Sequence, residues 1–212
     1  MNESEPLFGD LDEALGALRR DLISEDGPQI STMRNYRFAI VPYLTSEEFK
    51  LRGKVLRLGE ELRADGWAVL TIDLQKLLFD RIRATGNDNI EAIVAREKRL
   101  HKKDPGRGLA HLHEKIAPYI EGSDGIAGDV ARVVEDFAAK NPGMADRSLV
   151  IIGRAGALYP FFRSSALLKH IDGRTKNIPV VLLYPGKRED QSGLSFMCEL
   201  PADRDYRPRI YP

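Results

Sequence analysis

Four short runs are apolar almost without interruption: YRFAIVPY (36–43), WAVLTID (67–73), SLVIIG (148–153) and IPVVLLYPG (178–186). Each is rich in β-branched and aromatic residues, and each is bounded by turn residues, so each reads as a strand. A strand exposed on one face would alternate apolar with polar. Continuous apolarity instead asks for cover on both faces, the condition met by a mostly parallel sheet packed between helices. The stretches between the runs supply those helices. Leu11, Leu15, Leu18 and Leu22 recur at helical spacing, with Asp10 as N-cap. Leu51, Val55, Leu58 and Leu62 form a second stripe, which Thr45 or Ser46 caps and Asp65-Gly66 ends.

The joints between 36–43, the second stripe and 67–73 are short. That is the βαβ signature, and it predicts a parallel pair with a right-handed crossover. From Asp73 to about 140 the pattern is helical: 73–83, 88–101, 109–121 with Pro118 late in it, and a helix capped by Ser123 or Asp124 that carries Ile126, Val130, Val133, Val134 and Phe137. Residues 157–171 read as a further helix with Pro160 in its first turn. Leu194–Leu200 and Tyr206–Tyr211 read as two closing strands. The expectation is one α/β domain over 1–212, a mostly parallel central sheet flanked by helices, with a helical segment of about 74–140 inserted between sheet strands.

Composition bounds the function classes. Apolar residues make up 42% of the chain, charged residues 30%, and the net charge is zero, so the chain as a whole carries no nucleic-acid or membrane signature. No apolar run approaches the ~20 residues of a membrane helix. The acidic, polar start lacks a signal-peptide pattern, and the single cysteine, Cys198, excludes an internal disulfide. These features predict a cytoplasmic protein. Charge is uneven, however. Residues 1–30 hold eight acidic and two basic residues, whereas 96–107 hold six basic and two acidic ones. Lys102 and Lys103 in that basic stretch are candidate phosphate-backbone contacts. The stretch has no aromatic residue for base stacking, and a solvated helix end explains it equally.

No residue pattern completes a catalytic site. A Walker A loop needs glycines and a lysine after the first strand, yet the turn reads Pro42-Tyr43-Leu44-Thr45-Ser46-Glu47-Glu48, with carboxylates where phosphates would lie. The turn GRAGALYP (153–160) could hold an anion at a helix N-terminus, or it could be a close-packed structural turn. His111 and His113, two apart, point to different sides of a helix, and His101 and His170 are isolated, so no metal site is expected. Cys198, beside Phe196 and Met197 in a predicted strand, reads as a buried, inert thiol. Asp73 ends a strand where parallel sheets place functional carboxylates, and N-capping of the next helix also accounts for it. No cofactor is expected.

Several segments together resemble the BrxB family of bacterial phage-exclusion (BREX) systems. They are VIIGRAGALYPFFRSSALLKHI (150–171), IPVVLLYPG (178–186), Gly193-Leu194-Ser195-Phe196-Met197, the Tyr206–Tyr211 terminus and Ile72-Asp73-Leu74. The resemblance implies a P-loop-like fold without a Walker A motif. It also implies a place among defence proteins that include a methyltransferase, an ATPase and a PglZ-type protein with a phosphatase-like domain. It points to a non-catalytic adaptor or scaffold for a larger partner such as the PglZ-type protein, with nucleic acid reached only indirectly through the complex. The alternative is a nucleotide- or phosphate-binding sensor or enzyme using the 153–163 turn. The family supplies no catalytic residues to carry over. Matching positions offered as an interaction or anion site are Arg154, Gly156, Tyr159, Arg163, Tyr184 and Arg207.

Overall fold

In a computed structural model, residues 10–30, 36–189, 193–203 and 207–212 are described. The elements run α1 (Leu11–Leu22), β1 (Phe38–Tyr43), α2 (Glu48–Ala64), β2 (Ala68–Asp73), α3 (Leu74–Arg83), α4 (Asn87–His101), α5 (Pro105–Ile120), α6 (Ile126–Lys140), β3 (Ser148–Gly153), α7 (Ser164–Ile171), β4 (Val180–Arg188), β5 (Leu194–Phe196) and β6 (Arg209–Ile210). The four apolar runs are β1 to β4. They lie in the order β2-β3-β4-β1-β6, with every neighbouring pair parallel. β5 pairs antiparallel with the far end of β4. The chain is therefore an α/β fold with a mostly parallel sheet, as its sequence predicts.

Strand alternation divides the core in two. Ile40, Val150, Ile152, Val180 and Leu182 face one side, where α3, α6 and α7 cover them. Ala39, Val41, Leu149, Ile151, Val181 and Leu183 face the other, under α1 and α2. Both faces are covered, which is why β3 and the body of β4 have no polar face to show.

β1 and β2 share the sheet but are not a pair: β4 and β3 lie between them. The βαβ spacing is satisfied by a parallel strand anywhere within reach of α2, so it does not determine adjacency. Helices α3 to α6 lie between β2 and β3 in the chain. Because α2 covers one face and the later helices the other, the winding direction reverses, and two connections leave the C-terminal edge of the sheet on opposite sides.

Several local expectations are corrected. Thr45–Glu47 is a short 3-10 turn, and α2 has Glu47 as N-cap without a side-chain bond. Gly125, not Ser123 or Asp124, precedes α6. α5 begins at Pro105 behind an Asp104 cap, and the exposed Pro118 in its last turn forfeits one backbone bond without ending it. The helix expected over 157–171 is split. The residue before a proline avoids helical backbone, and Tyr159 is extended (ψ 139°) between a 3-10 turn at Ala155–Leu158 and α7. The closing strands shrink to β5 and β6, and Tyr206 lies outside the described residues. Cys198 is exposed in a turn with φ 61°, not buried in a strand. The caps at Asp10 and Asp73 are present, each accepting from a backbone amide of the first turn.

Candidate functional site

Doubly wound sheets bind ligands at the C-terminal edge, where the winding reverses. Here that edge is occupied by the protein's own side chains. β1 ends at Tyr43, α2 opens with Glu48, α3 carries Gln75 in its first turn, and Arg154 follows β3. The Arg154 guanidinium donates from Nη1 to Glu48 Oε1 at 3.1 Å and from Nη2 to Gln75 Oε1 at 2.5 Å. The Tyr43 hydroxyl donates to the other Glu48 oxygen. Both oxygens of Glu48 are thus engaged, and three crossover connections are tied at one point. Burial, then the bond to Glu48, pushes the Tyr43 hydroxyl well above its ordinary range.

Arg154 reaches this position from left-handed backbone (φ 64°). For a residue with a Cβ that conformation costs roughly 1–2 kcal/mol, which the two charge-assisted contacts offset. The Glu48 carboxylate sits at the N-terminus of α2, where an α/β nucleotide site would hold a phosphate. An internal anion fills the place of an external one, and its counter-cation comes from the next loop.

The matching residues do not converge. Arg154, Gly156, Tyr159 and Arg163 lie along the segment after β3. A Cβ on Gly156 would approach Met197 Sδ to 3.0 Å and Pro185 Cγ to 3.2 Å, so this glycine lets the segment press against the end of β4. Tyr159 is 37% exposed. Arg163 is exposed, and among the described residues its guanidinium has no ion-pair or hydrogen-bond partner. It borders a pocket of about 180 Å³ whose apolar lining includes Ile126, Phe162 and Leu167, with His170 and Glu121 also lining it. Tyr184 is fully buried, its hydroxyl donating to Leu194 O at 3.0 Å and its ring edge-on to Phe196, so it belongs to the core. Arg207 is exposed at the other end of the sheet. Parallel pairing sets Ala39 against Arg209, which places Arg207 toward the start of β1, close enough to Tyr36 to oppose the rise of that phenol's pKa, driven first by burial and then by Asp172.

Two parts of the arrangement escaped sequence reasoning. Gln75 has no local signature, being 79 residues from its partner Arg154. The terminal Arg209 and Tyr211 close on α1: the Tyr211 hydroxyl donates to Asp21 at 2.7 Å, Arg209 pairs with the same carboxylate at 2.9 Å, and its guanidinium lies 4.9 Å over the Tyr211 ring. Glu48 did leave a trace, as a carboxylate in the turn after the first strand.

Lys102 and Lys103 are exposed in the turn between α4 and α5. Among the described residues, no group of three His, Cys, Asp or Glu side chains could hold a metal ion, and no helix is long and apolar enough to cross a membrane. No curated protein and no solved structure matches the chain. The family model described as BREX protein BrxB matches residues 70–210, from the middle of β2 through β6. That match covers more than half of the chain and includes the Arg154 loop, the α4–α5 turn and the β4–β5 corner, so the protein belongs to the BrxB family and is a component of BREX anti-phage defence.

Proposed function

We propose that the protein serves BREX defence as a non-catalytic adaptor or scaffold that binds a larger component, such as a PglZ-type protein. The observation that carries this reading is the closed C-terminal edge. Where related architectures open a crevice for a ligand, Glu48, Arg154, Gln75 and Tyr43 satisfy one another. Exposed Tyr159 and unpartnered Arg163, on the segment beside that edge, offer the aromatic and arginine character that protein interfaces favour. The test is affinity capture of the tagged chain from its native host at moderate salt, with the captured proteins identified by mass. A PglZ-type protein in stoichiometric amount, lost with Arg163→Glu, supports the reading. Capture of no BREX component overturns it.

One observation favours a second reading, a phosphate or nucleotide sensor. Arg163 is a cation beside the pocket at the start of α6, unpaired among the described residues. Calorimetric titration with ATP, GTP and inorganic phosphate would give saturable heat abolished by Arg163→Ala. A flat titration removes this reading.

A further inference from the structure

Helices α4 and α5 form a hairpin that packs chiefly on itself. No residue of α4 is buried, and in α5 only Gly108 and Ile120 are. The seam is close at one point, where a Cβ on Gly108 would come within 3.0 Å of His101 Cβ. A 15-residue helix spans about 22 Å, so the turn between the helices lies about that far from the joint of α4 with α3. The residues nearest that turn, 96–107, carry Arg96, Lys98, Arg99, Lys102, Lys103 and Arg107 against Glu97 and Asp104. The chain is neutral overall, so this segment is a cationic lobe on an otherwise net acidic molecule.

The cations are also arranged. Backbone bonds from Lys102 N to Lys98 O and from Asp104 N to Leu100 O carry the helical path past the end of α4. At about 100° per residue along it, Arg96, Lys98, Arg99, Lys102 and Lys103 fall within an arc of about 160°, while Ile90, Ile93, Glu97 and Leu100 occupy the opposite side. Those four are the half-buried positions, turned toward α5. Among the described residues none of the six cations has an ion-pair partner. Elsewhere Arg19, Arg37, Lys54, Arg81 and Arg154 each meet a carboxylate, while scattered exposed cations such as Arg57 and Lys140 meet none among the described residues; the lobe differs in gathering six cations within residues 96–107. The two acids of the lobe are engaged locally: Glu97 faces His101, and Asp104 caps Gly106 N at 2.8 Å.

Folding alone does not ask for this pattern. Lys98 with Lys102, and Arg99 with Lys103, are like charges at i, i+4, which repel. The dipole of α4 favours cations in its last turn, but Arg107 stands in the first turn of α5, where a cation is disfavoured.

We infer that the outer face of the α4–α5 hairpin binds the phosphate backbone of double-stranded nucleic acid, without reading sequence. A cluster of long cations, unpaired among the described residues, on the last turns of α4 and in the turn that follows suits a line of phosphates, and the absence of aromatics between 96 and 107 leaves no platform for stacked bases. Affinity comes from counterion release. With about four phosphates neutralised, binding falls by about a hundredfold between about 50 and 200 mM salt.

The test uses the purified full chain and a fluorescently labelled duplex DNA of about 20 bp, followed by anisotropy across that salt range. The expected result is saturable binding with this salt dependence. It weakens at least tenfold in Lys102→Glu/Lys103→Glu, with a shallower salt slope, and changes little in Arg57→Glu/Lys140→Glu, which alters net charge equally at exposed positions off the hairpin. Unchanged far-ultraviolet helicity in both variants excludes misfolding as the cause. No binding at about 50 mM salt overturns the inference, as does equal loss in both variants or tighter binding to polyglutamate than to DNA. No partner protein is present, so the outcome is independent of the adaptor reading.

Discussion

Arg154 and the cations of the α4–α5 hairpin are the same chemistry put to opposite structural use. Arg154 is 29% exposed at its side chain, and its fork is divided between Glu48 and Gln75. Lys102 and Lys103 are exposed and, among the described residues, meet no carboxylate. A cation satisfied inside the fold holds elements together and has little left to offer a ligand. One that is unsatisfied outside adds little to the fold beyond its interaction with the helix dipole and keeps its charge available. The family-matched arginines therefore cannot be taken as one site: Arg154 joins three loops, Arg163 faces solvent beside a pocket, and Arg207 lies at the far end of the sheet.

The largest effect expected is at the closed edge. Arg154→Ala leaves the Glu48 carboxylate part-buried with only Tyr43 as donor. Removing one member of a buried pair costs several kcal/mol, and partial exposure on both sides reduces that to about 2 kcal/mol. For a chain of this length, Tm should fall by about 4–8 °C. Arg154→Lys keeps the charge but cannot fork to both partners, so it should recover only part of the loss. Urea unfolding of the three proteins measures this. Wild-type stability in Arg154→Ala would mean that the edge is not held shut by this pair, and the contrast with the hairpin would fail.

A smaller effect is expected from Tyr43→Phe, which removes a donor to a carboxylate and should cost about 1–2 kcal/mol near neutral pH. Its pH dependence is the sharper readout. The folded Tyr43 hydroxyl titrates above its unfolded value near 10, because burial and Glu48 both oppose the phenolate. The folded state therefore holds that proton more tightly. The stabilisation is complete below about pH 10 and is lost as pH rises beyond it. Tyr211, raised by burial and by Asp21, adds a loss of the same sign. The alkaline decline should flatten in Tyr43→Phe and flatten further in Tyr43→Phe/Tyr211→Phe, followed by unfolding at a series of pH values. An unaltered alkaline limb would place the titrating groups elsewhere.

What could be read from sequence follows the range of the interactions involved. β1 to β4 were legible because burial on two faces leaves a local mark, a run of apolar residues. The leucine stripe of α1 and the caps at Asp10 and Asp73 are also local. The position of β2 was not legible, because α2 can deliver a strand to more than one place in a parallel sheet. Tyr159 broke an apparently continuous helical pattern through the residue that follows it, a constraint that apolar spacing does not register. Tyr184 looked like an interface tyrosine by its family position, yet it lies within the apolar run that became β4, and the run was the better guide. At the site, the acid of Glu48 was visible as a misfit to a phosphate loop. Its bond to Arg154 spans 106 residues and has no local counterpart.

The smallest stability effect separates the two regions most directly. Lys102→Glu/Lys103→Glu should leave unfolding free energy within about 0.5 kcal/mol of wild type, since both side chains are exposed and, among the described residues, unpaired. A slight gain is the expected direction. The two introduced carboxylates would replace like-charge contacts with opposite-charge ones to Lys98 and Arg99 at i, i+4. Their place at the C-terminal end of α4 opposes that gain through the helix dipole, which keeps it small. Urea midpoints of this double variant and of Arg154→Ala, measured side by side, decide the matter. A near-silent hairpin and a costly edge mean that one set of cations serves the fold and the other is kept for a partner. A hairpin variant that loses as much as Arg154→Ala would show that the stripe is structural, and its unpaired geometry would then need an explanation within the fold.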